Sequence, residues 1–303
     1  MCRIYRINQF SIIFTLTLTL IIIPGYSREA NAFQGDAAFA FTRHAVSFGA
    51  RPSGSPAITR LRNWIRDTLK PLGCQVDSMS FTGETPMGPV PMVNLIAKFP
   101  GKSGKIIAIT GHYDTKHIPM VNFVGANDGG SSTGFLLALA QAIAHTSHQD
   151  EIDLVWFDGE EAVGQWSERD SLYGSRYLLS QWIQTGTLSR LKALINVDMI
   201  GDRNLDILND SNSSQTLRNL VWQTADSLGY GKYFLRDPGG IDDDHLPFAM
   251  AGVNALDLID FNFGPGNRYW HKDTDTMDKL SPHSFQVVGD VVLASIKKLD
   301  QQR

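Results

Sequence analysis

The chain has 303 residues, of which 43% are hydrophobic and 19% are charged. That length and balance fit one large domain with a sizeable core and exclude a disordered protein. A formal net charge of -4, with no basic run interleaved with aromatic residues, excludes a nucleic-acid-binding surface. We therefore expect the partners of this protein to be small molecules or peptides.

The first 32 residues have the layout of a signal peptide. Two arginines precede an apolar stretch from about residue 10 to residue 23, and small residues follow it. We predict cleavage after Ser27 or Ala32, export to a periplasmic or extracellular location, and a single catalytic domain over residues 33–303. Because the apolar stretch is shorter than the ~20 residues that a spanning helix needs, no permanent membrane anchor is expected.

Strand and helix patterns alternate along the predicted mature chain. Short apolar runs rich in β-branched and aromatic residues indicate strands, and apolar residues at helical spacing indicate helices. In chain order we predict helices over 37–47 and 58–69, strands over 75–82, 92–99 and 105–110, a helix over 131–145, a strand over 154–157, a helix over 171–183, strands over 191–197 and 205–208, a helix over 213–228, a strand over 253–259, and a closing helix capped by Ser281. This alternation predicts an α/β fold.

Polar residues directly follow three of the predicted buried strands. His112 comes after the strand over 105–110, Glu160 and Glu161 come after 154–157, and Asp198 comes after 191–197. In α/β sheets, ligands gather where the strands end on their carboxyl side. We therefore expect these side chains to meet at one edge of one sheet.

Asp128 precedes the helix over 131–145 and can fold back to the same edge. Taken alone, Asp128 also fits a helix N-terminal residue favoured by the helix dipole, and His112 fits a hydrogen-bonded core histidine. Together with Glu160 and Glu161 they form a His/Asp/Glu set of the kind that zinc binds. One of the two adjacent glutamates can then hold the metal while the other moves protons.

These motifs resemble a known clan of enzymes. Gly111 to Asp114, Gly125 to Asp128, the paired glutamates, Asp198 and His271 resemble the zinc-dependent aminopeptidase clan. The block over 158–176, the 243–248 segment and Trp270-His271 narrow the resemblance to the glutaminyl-peptide cyclotransferases, over about residues 37–299. The resemblance implies a phosphorylase-like three-layer α/β/α sandwich with a central mixed, mostly parallel sheet.

The resemblance also implies a metal site and a proton carrier. It places zinc, one ion per chain, on Asp128, Glu161 and His271, and it makes Glu160 the proton shuttle. The activity that it implies is that of an acyltransferase, which cyclises the N-terminal glutamine of a peptide or protein to pyroglutamate.

Further residues match the family's acidic partners and its substrate pocket. Asp198 and Asp243 match acids that lie near the reacting groups, and Asp243 belongs to a run of titratable groups, 242–245, in which mutual pKa shifts are favoured. The implied pocket residues are Trp166, Trp270, Ile241 and Phe263. Two departures stand out: Gly111 and Thr133 occupy the positions of a cysteine pair in animal members, and Asp257 replaces a different residue.

The residues leave two reactions open. Three protein ligands leave the fourth position of zinc free for a substrate oxygen, and in a cyclotransferase the terminal amine attacks the glutamine side-chain amide without consuming water. In a zinc metallo-aminopeptidase, His112 and Asp198 instead complete a second metal site, and Glu160 deprotonates a bridging water. Ligands for both arrangements are present, so ligand counting cannot choose. A non-enzymatic peptide-binding protein would require a missing ligand, and none is missing.

Overall fold

A six-stranded mixed sheet forms the centre of the structure, which is a computed structural model that describes residues 32–302. The predicted signal peptide lies outside the described residues, apart from Ala32. The strands along the chain are β1 (Gln75–Thr85), β2 (Gly88–Phe99), β3 (Ile106–His112), β4 (Glu151–Phe157), β5 (Leu191–Asp198), β6 (Ile207–Asp210), β7 (Phe234–Gly239) and β8 (Ala255–Ile259). The order in the central sheet is β1-β2-β4-β3-β5-β8, and β6 and β7 form a separate parallel pair.

One strand of the central sheet runs against the other five. β2 pairs antiparallel with both β1 and β4, whereas β4, β3, β5 and β8 pair in parallel. The sheet is therefore mixed and mostly parallel, as predicted. Because β4, β3 and β5 are neighbours with the same direction, their carboxyl ends lie side by side at one edge.

Helices cover both faces of the sheet. They are α1 (Gly35–Val46), α2 (Pro56–Leu69), α3 (Gly130–Ile143), α4 (Tyr173–Gln184), α5 (Gln215–Ser227), α6 (Leu246–Met250) and α7 (Pro282–Gln301). Alternate strand residues enter two cores: Leu154 and Trp156 of β4 pack with α1, α2, α3, α5 and α7, whereas Val155 and Phe157 pack with α4 and α6. These layers confirm the three-layer α/β/α sandwich, and the described residues pack into one compact unit.

The element boundaries differ from the predictions mainly at the β1–β2 hairpin. Both strands continue through the predicted loop over 83–91, with Thr85 paired to Gly88. Pro89 and Pro91 are tolerated because β2 pairs with β4 only over Leu95–Phe99, so neither proline faces β4. The short elements β7 and α6 were not predicted, since β7 is largely exposed and has no apolar alternation.

The closing helix begins as predicted. The Ser281 side chain accepts a hydrogen bond from the His283 backbone N–H at 3.1 Å, and Pro282 occupies the first turn, where no intrahelical N–H is needed. Cys74 is a free cysteine. Among the helices of the described residues, none combines the length and apolar character needed to cross a membrane.

Asp153 gives the fold a testable pH dependence. It is 1% exposed in β4, and its Oδ1 accepts no hydrogen bond from the described residues. Burial raises the pKa of this carboxyl to about 7, and Glu151 adds to the rise. A carboxyl whose pKa is higher in the folded than in the unfolded chain holds its proton more tightly when folded, so it costs stability as the pH rises.

We expect Asp153→Asn to raise the free energy of unfolding at pH 8 by up to about 4 kcal/mol, because the amide never ionises. The gain should shrink as the pH falls towards 5. Denaturant titrations of both proteins at the two pH values measure this difference. An equal gain at both values would show that ionisation of Asp153 has no part in it.

Candidate active site

A cleft of about 560 Å³ opens at the edge where the parallel strands end. Its lining contains six carboxylates, one histidine and two tryptophans, together with smaller apolar residues. The carboxylates and the histidine come from segments that follow β3, β4, β5, β7 and β8. The predicted convergence of acids on one edge of the sheet is therefore present.

Three side chains in the cleft have the spacing of a zinc site. His271 Nε2 lies 3.2 Å from Glu161 Oε1 and 3.3 Å from Asp128 Oδ2. Ligand atoms about 2.0–2.1 Å from a tetrahedral ion lie ~3.3 Å from one another, so these separations match zinc. Asp128 Oδ2 is buried and accepts no hydrogen bond from the described residues. The nitrogen and oxygen donors that are present therefore fit the metal.

Asp128 is held through its backbone. The carboxylate of Asp275 accepts the N–H groups of Asn127 (2.7 Å) and Asp128 (3.2 Å). Arg51 is fully buried and donates to the carbonyl oxygen of Gly125 at 2.9 Å and to two other carbonyls of the same region. Sequence reasoning missed Arg51 and Asp275, because their partners are backbone atoms of distant loops and no spacing rule predicts them.

The other two candidate ligands are fixed by the residues around them. Glu161 Oε1 accepts the Lys116 N–H at 3.1 Å, and Lys116 Nζ lies 3.7 Å from Oε2. The ring of Trp270 stacks on His271 with centroids 4.0 Å apart, and Phe123 contacts His271 edge-on at 5.6 Å. His271 has a φ of +54°, a strained conformation for a residue with a side chain. The aromatic contacts keep it in place.

The two adjacent glutamates point at different groups. Their backbone N–H groups donate to the two oxygens of Asp114, at 3.3 Å for Glu160 and 3.4 Å for Glu161. Glu160 Oε2 lies 3.8 Å from His112 Nδ1, whereas Glu161 meets His271. Burial raises the pKa of Glu160 well above its ordinary value; His112 opposes this rise and Glu161 adds to it. A carboxyl with a raised pKa holds its proton more readily than an ordinary glutamate, as a general acid must.

A second group of possible ligands adjoins the first. His112 Nε2 lies 3.0 Å from Asp198 Oδ1 and 3.3 Å from Asp128 Oδ1. The ligand atoms of these three residues all lie within 4.8 Å of one another. Asp128 therefore contributes one oxygen to each group, and the geometry brings together both sets of ligands that the sequence offered.

The predicted pocket residues divide into two sets. Trp166, Trp270 and Ile241 line the cleft. Phe263 does not: it is fully buried in the core, and its ring packs against Tyr269 at 5.3 Å. Phe261 lines the cleft instead, with its ring 5.0 Å from that of Trp270. The two phenylalanines lie two residues apart in one loop, and the loop's path, which no sequence pattern gives, decides which of them faces the cleft.

Asp243 lies on the wall of the cleft beside Asp198. It is 2% exposed, and burial raises the pKa of its carboxyl to about 7, with Asp198 adding to the rise. Its Oδ1 accepts a hydrogen bond from Asn196 at 3.2 Å. Asn196 was not singled out from the sequence, because an asparagine inside a buried strand carries no motif of its own.

Comparison with known proteins identifies the family of this chain. Residues 94–296, more than half of the chain, match peptidase family M28. A glutaminyl-peptide cyclotransferase-like protein of Mus musculus is 30% identical over 277 residues, which cover 80% of this chain and 71% of that protein.

Solved structures show the same likeness. A glutaminyl cyclase from an Acidobacteriales bacterium is 40% identical with a TM-score of 0.86, over 89% of this chain and 96% of that one. The glutaminyl cyclase of Porphyromonas gingivalis is 28% identical with a TM-score of 0.78, over 88% of this chain and 98% of that one.

Substitution of the two glutamates should affect zinc binding differently. We expect Glu161→Gln to weaken zinc binding by at least about 100-fold, because loss of even an outer-shell partner costs 10- to 100-fold. Glu160→Gln, the matched control, should keep its zinc, since Glu160 lies outside the ligand set. Elemental analysis of the dialysed variants measures the metal. Zinc retained by Glu161→Gln and lost from Glu160→Gln would reverse the two assignments.

Proposed function

Because the chain belongs to peptidase family M28 and, within it, to the glutaminyl-peptide cyclotransferases, we propose that it cyclises the N-terminal glutamine of peptides or proteins to pyroglutamate. Ammonia is the second product. The observation that carries this proposal is the cleft itself, in which the buried Glu160 lies beside a three-residue zinc set and which two tryptophans also line.

The zinc set would hold the metal for the reaction. Asp128, Glu161 and His271 would bind one ion per chain, and their ligand atoms lie close enough together to do so. When bound, zinc supplies a Lewis acid that polarises the side-chain amide carbonyl of the glutamine. Lys116 and Asp275 keep two of the ligands in place from outside the cleft.

Glu160 moves the proton that the reaction must transfer. It takes a proton from the attacking α-amine and delivers it to the amide nitrogen that leaves. A bond forms between the α-nitrogen and the side-chain carbonyl carbon, the amide C–N bond breaks, and ammonia departs. The reaction consumes no water. The raised pKa of Glu160 suits a group that must both accept and donate.

Asp198 and Asp243 bind the substrate amine. Both line the cleft close to Glu160, and both are buried, so they attract a cationic amine strongly. Trp166 and Trp270 form the apolar walls. Apolar walls bind water weakly, which favours attack by the substrate's own amine over hydrolysis.

One observation favours a second candidate function. His112, Asp128 and Asp198 form a ligand group next to the zinc set, as a zinc metallo-aminopeptidase with two metals requires. In that enzyme Glu160 would deprotonate a water for hydrolysis of the first peptide bond. The two reactions differ in products and in metal stoichiometry.

We expect the purified protein to contain one zinc per chain, to release ammonia from a glutamine-initiated dipeptide, and to release no amino acid from a leucine-initiated one. Elemental analysis and product identification on both dipeptides measure this. Glu160→Gln is the control, and it should lose cyclisation by about 10²- to 10⁴-fold because general acid–base transfer is removed. Two zincs per chain with steady release of leucine would establish the aminopeptidase instead.

We also propose export after cleavage of the N-terminal segment, on the strength of its signal-peptide layout. Mass spectrometry of the exported protein should give a chain that begins near Arg28 or Phe33. Exported material that still begins at Met1 would show that the segment is retained.

A further inference from the structure

A row of polar side chains crosses three neighbouring parallel strands beneath the cleft. Thr110 of β3 is paired with Asn196 of β5, and Asn196 is paired with Asp257 of β8. Thr110 Oγ1 donates to Asn196 Oδ1 at 2.8 Å, and Asn196 Nδ2 donates to Asp257 Oδ1 at 3.0 Å. Because side chains alternate along a strand, the row lies on the same face as His112 and Asp198, two residues further along.

Asn196 also reaches the wall of the cleft. Its Nδ2 donates to Asp243 Oδ1 at 3.2 Å, and the same oxygen accepts the backbone N–H of Asp244. Asp243 Oδ2 accepts no hydrogen bond from the described residues, and Asp243 lines the cleft. One oxygen of Asp243 is therefore held from below, and the other is left for a group in the cleft.

The orientation of the Asn196 amide is fixed from its far side. The amide oxygen accepts the Thr110 hydroxyl, so both N–H groups of the amide are available to the two carboxylates. A neutral amide is well suited to this place, since it can accept one hydrogen bond and donate two.

The stability of the fold does not require this row of polar side chains. Thr110, Asn196 and Asp257 are at most 1% exposed, and burying polar groups costs free energy unless every one is paired. Asp257 Oδ2 has no hydrogen-bond partner among the described residues. On the same face, the residues two positions earlier in these strands are Ala108, Leu194 and Ala255, which form an apolar core. Apolar residues in the row would extend that core without unpaired atoms.

We propose that Asn196 is a positioning residue for the reaction, which holds Asp243 by one oxygen so that the other meets the attacking amine of the substrate. This rests on the proposed function, in which Asp243 binds that amine. Thr110 sets the orientation of the Asn196 amide, and Asp257 anchors its second N–H. Asp243 would otherwise turn away from the amine, since its segment is a loop between β7 and α6.

The test compares kcat, KM, zinc content and unfolding in designed variants, with a glutamine-initiated dipeptide as substrate. Asn196→Leu keeps the volume and removes all three hydrogen bonds. We expect kcat to fall about 10- to 100-fold, as for a displaced catalytic group, with KM changed less than about threefold and zinc retained. A kcat within about twofold of the wild-type value would overturn the proposal.

A double variant separates positioning from simple loss of stability. Asn196→Leu leaves Asp257 buried and unpaired, and the additional change Asp257→Val removes that carboxylate. The double variant should regain much of the free energy of unfolding while kcat stays low, because Asp243 still lacks its hydrogen bond from Asn196. Recovery of kcat together with stability would show a structural role and overturn the proposal.

An asparagine outside the cleft controls for the loss of a partly buried side-chain hydrogen bond. Asn254 Oδ1 accepts the Ser214 hydroxyl at 2.5 Å, away from the cleft residues. Asn254→Leu should lower stability and leave kcat unchanged. An equal fall in kcat in this control would assign the effect of Asn196→Leu to general destabilisation and overturn the proposal.

Thr110→Val decides the question if Asn196→Leu does not fold. It keeps the side-chain shape and removes the hydroxyl that orients the amide, so kcat should fall about 3- to 10-fold with zinc retained. An unchanged kcat would overturn the proposal. A wild-type protein that releases no ammonia would instead overturn the proposed function, so the two failures are distinct.

Discussion

Repulsion between buried carboxylates is the constraint around which the edge of the sheet is built. Burial raises the pKa of Glu161, and the neighbouring charge of Asp128 raises it further. Among the described residues, six carboxylates line one cleft, and His271 is the one basic side chain in that lining. A divalent cation relieves this repulsion directly, because it is the largest local charge that such a site can hold. Bringing these acids together costs free energy, and a site that binds a metal next to a reactive carboxyl requires such a cluster.

Backbone anchors keep the acids where repulsion would move them. The carboxylate of Asp114 accepts the two successive N–H groups of residues 160–161, and that of Asp275 accepts those of residues 127–128. The same arrangement thus occurs twice, each time on a segment that carries a candidate metal ligand. Backbone donors of this kind position a side chain without occupying its functional oxygens.

Much of this site was predictable from the sequence because the carboxyl ends of parallel strands must meet at one edge. His112 and Asp198 end their strands, and Glu160 and Glu161 follow theirs by three and four residues, so local patterns place all four. Arg51, Asp275 and Asn196 were missed, because their roles depend on contacts between distant segments. The same limit explains why Phe263 was predicted to line the cleft and Phe261 does so instead, since no sequence periodicity predicts the path of a loop.

The ligand set by itself does not choose between cyclisation and hydrolysis, because zinc polarises an amide in either reaction. The choice depends on which nucleophile is held next to that amide. A hydrolase must hold a water, whereas a cyclase must hold the substrate's own amine and keep water out. Two tryptophans line this cleft beyond the zinc set, and we infer that Asp243, which accepts a hydrogen bond from Asn196 through one oxygen, presents the other to an amine. On this proposal, the residues that hold the amine, and not the zinc set, determine which reaction the cleft catalyses.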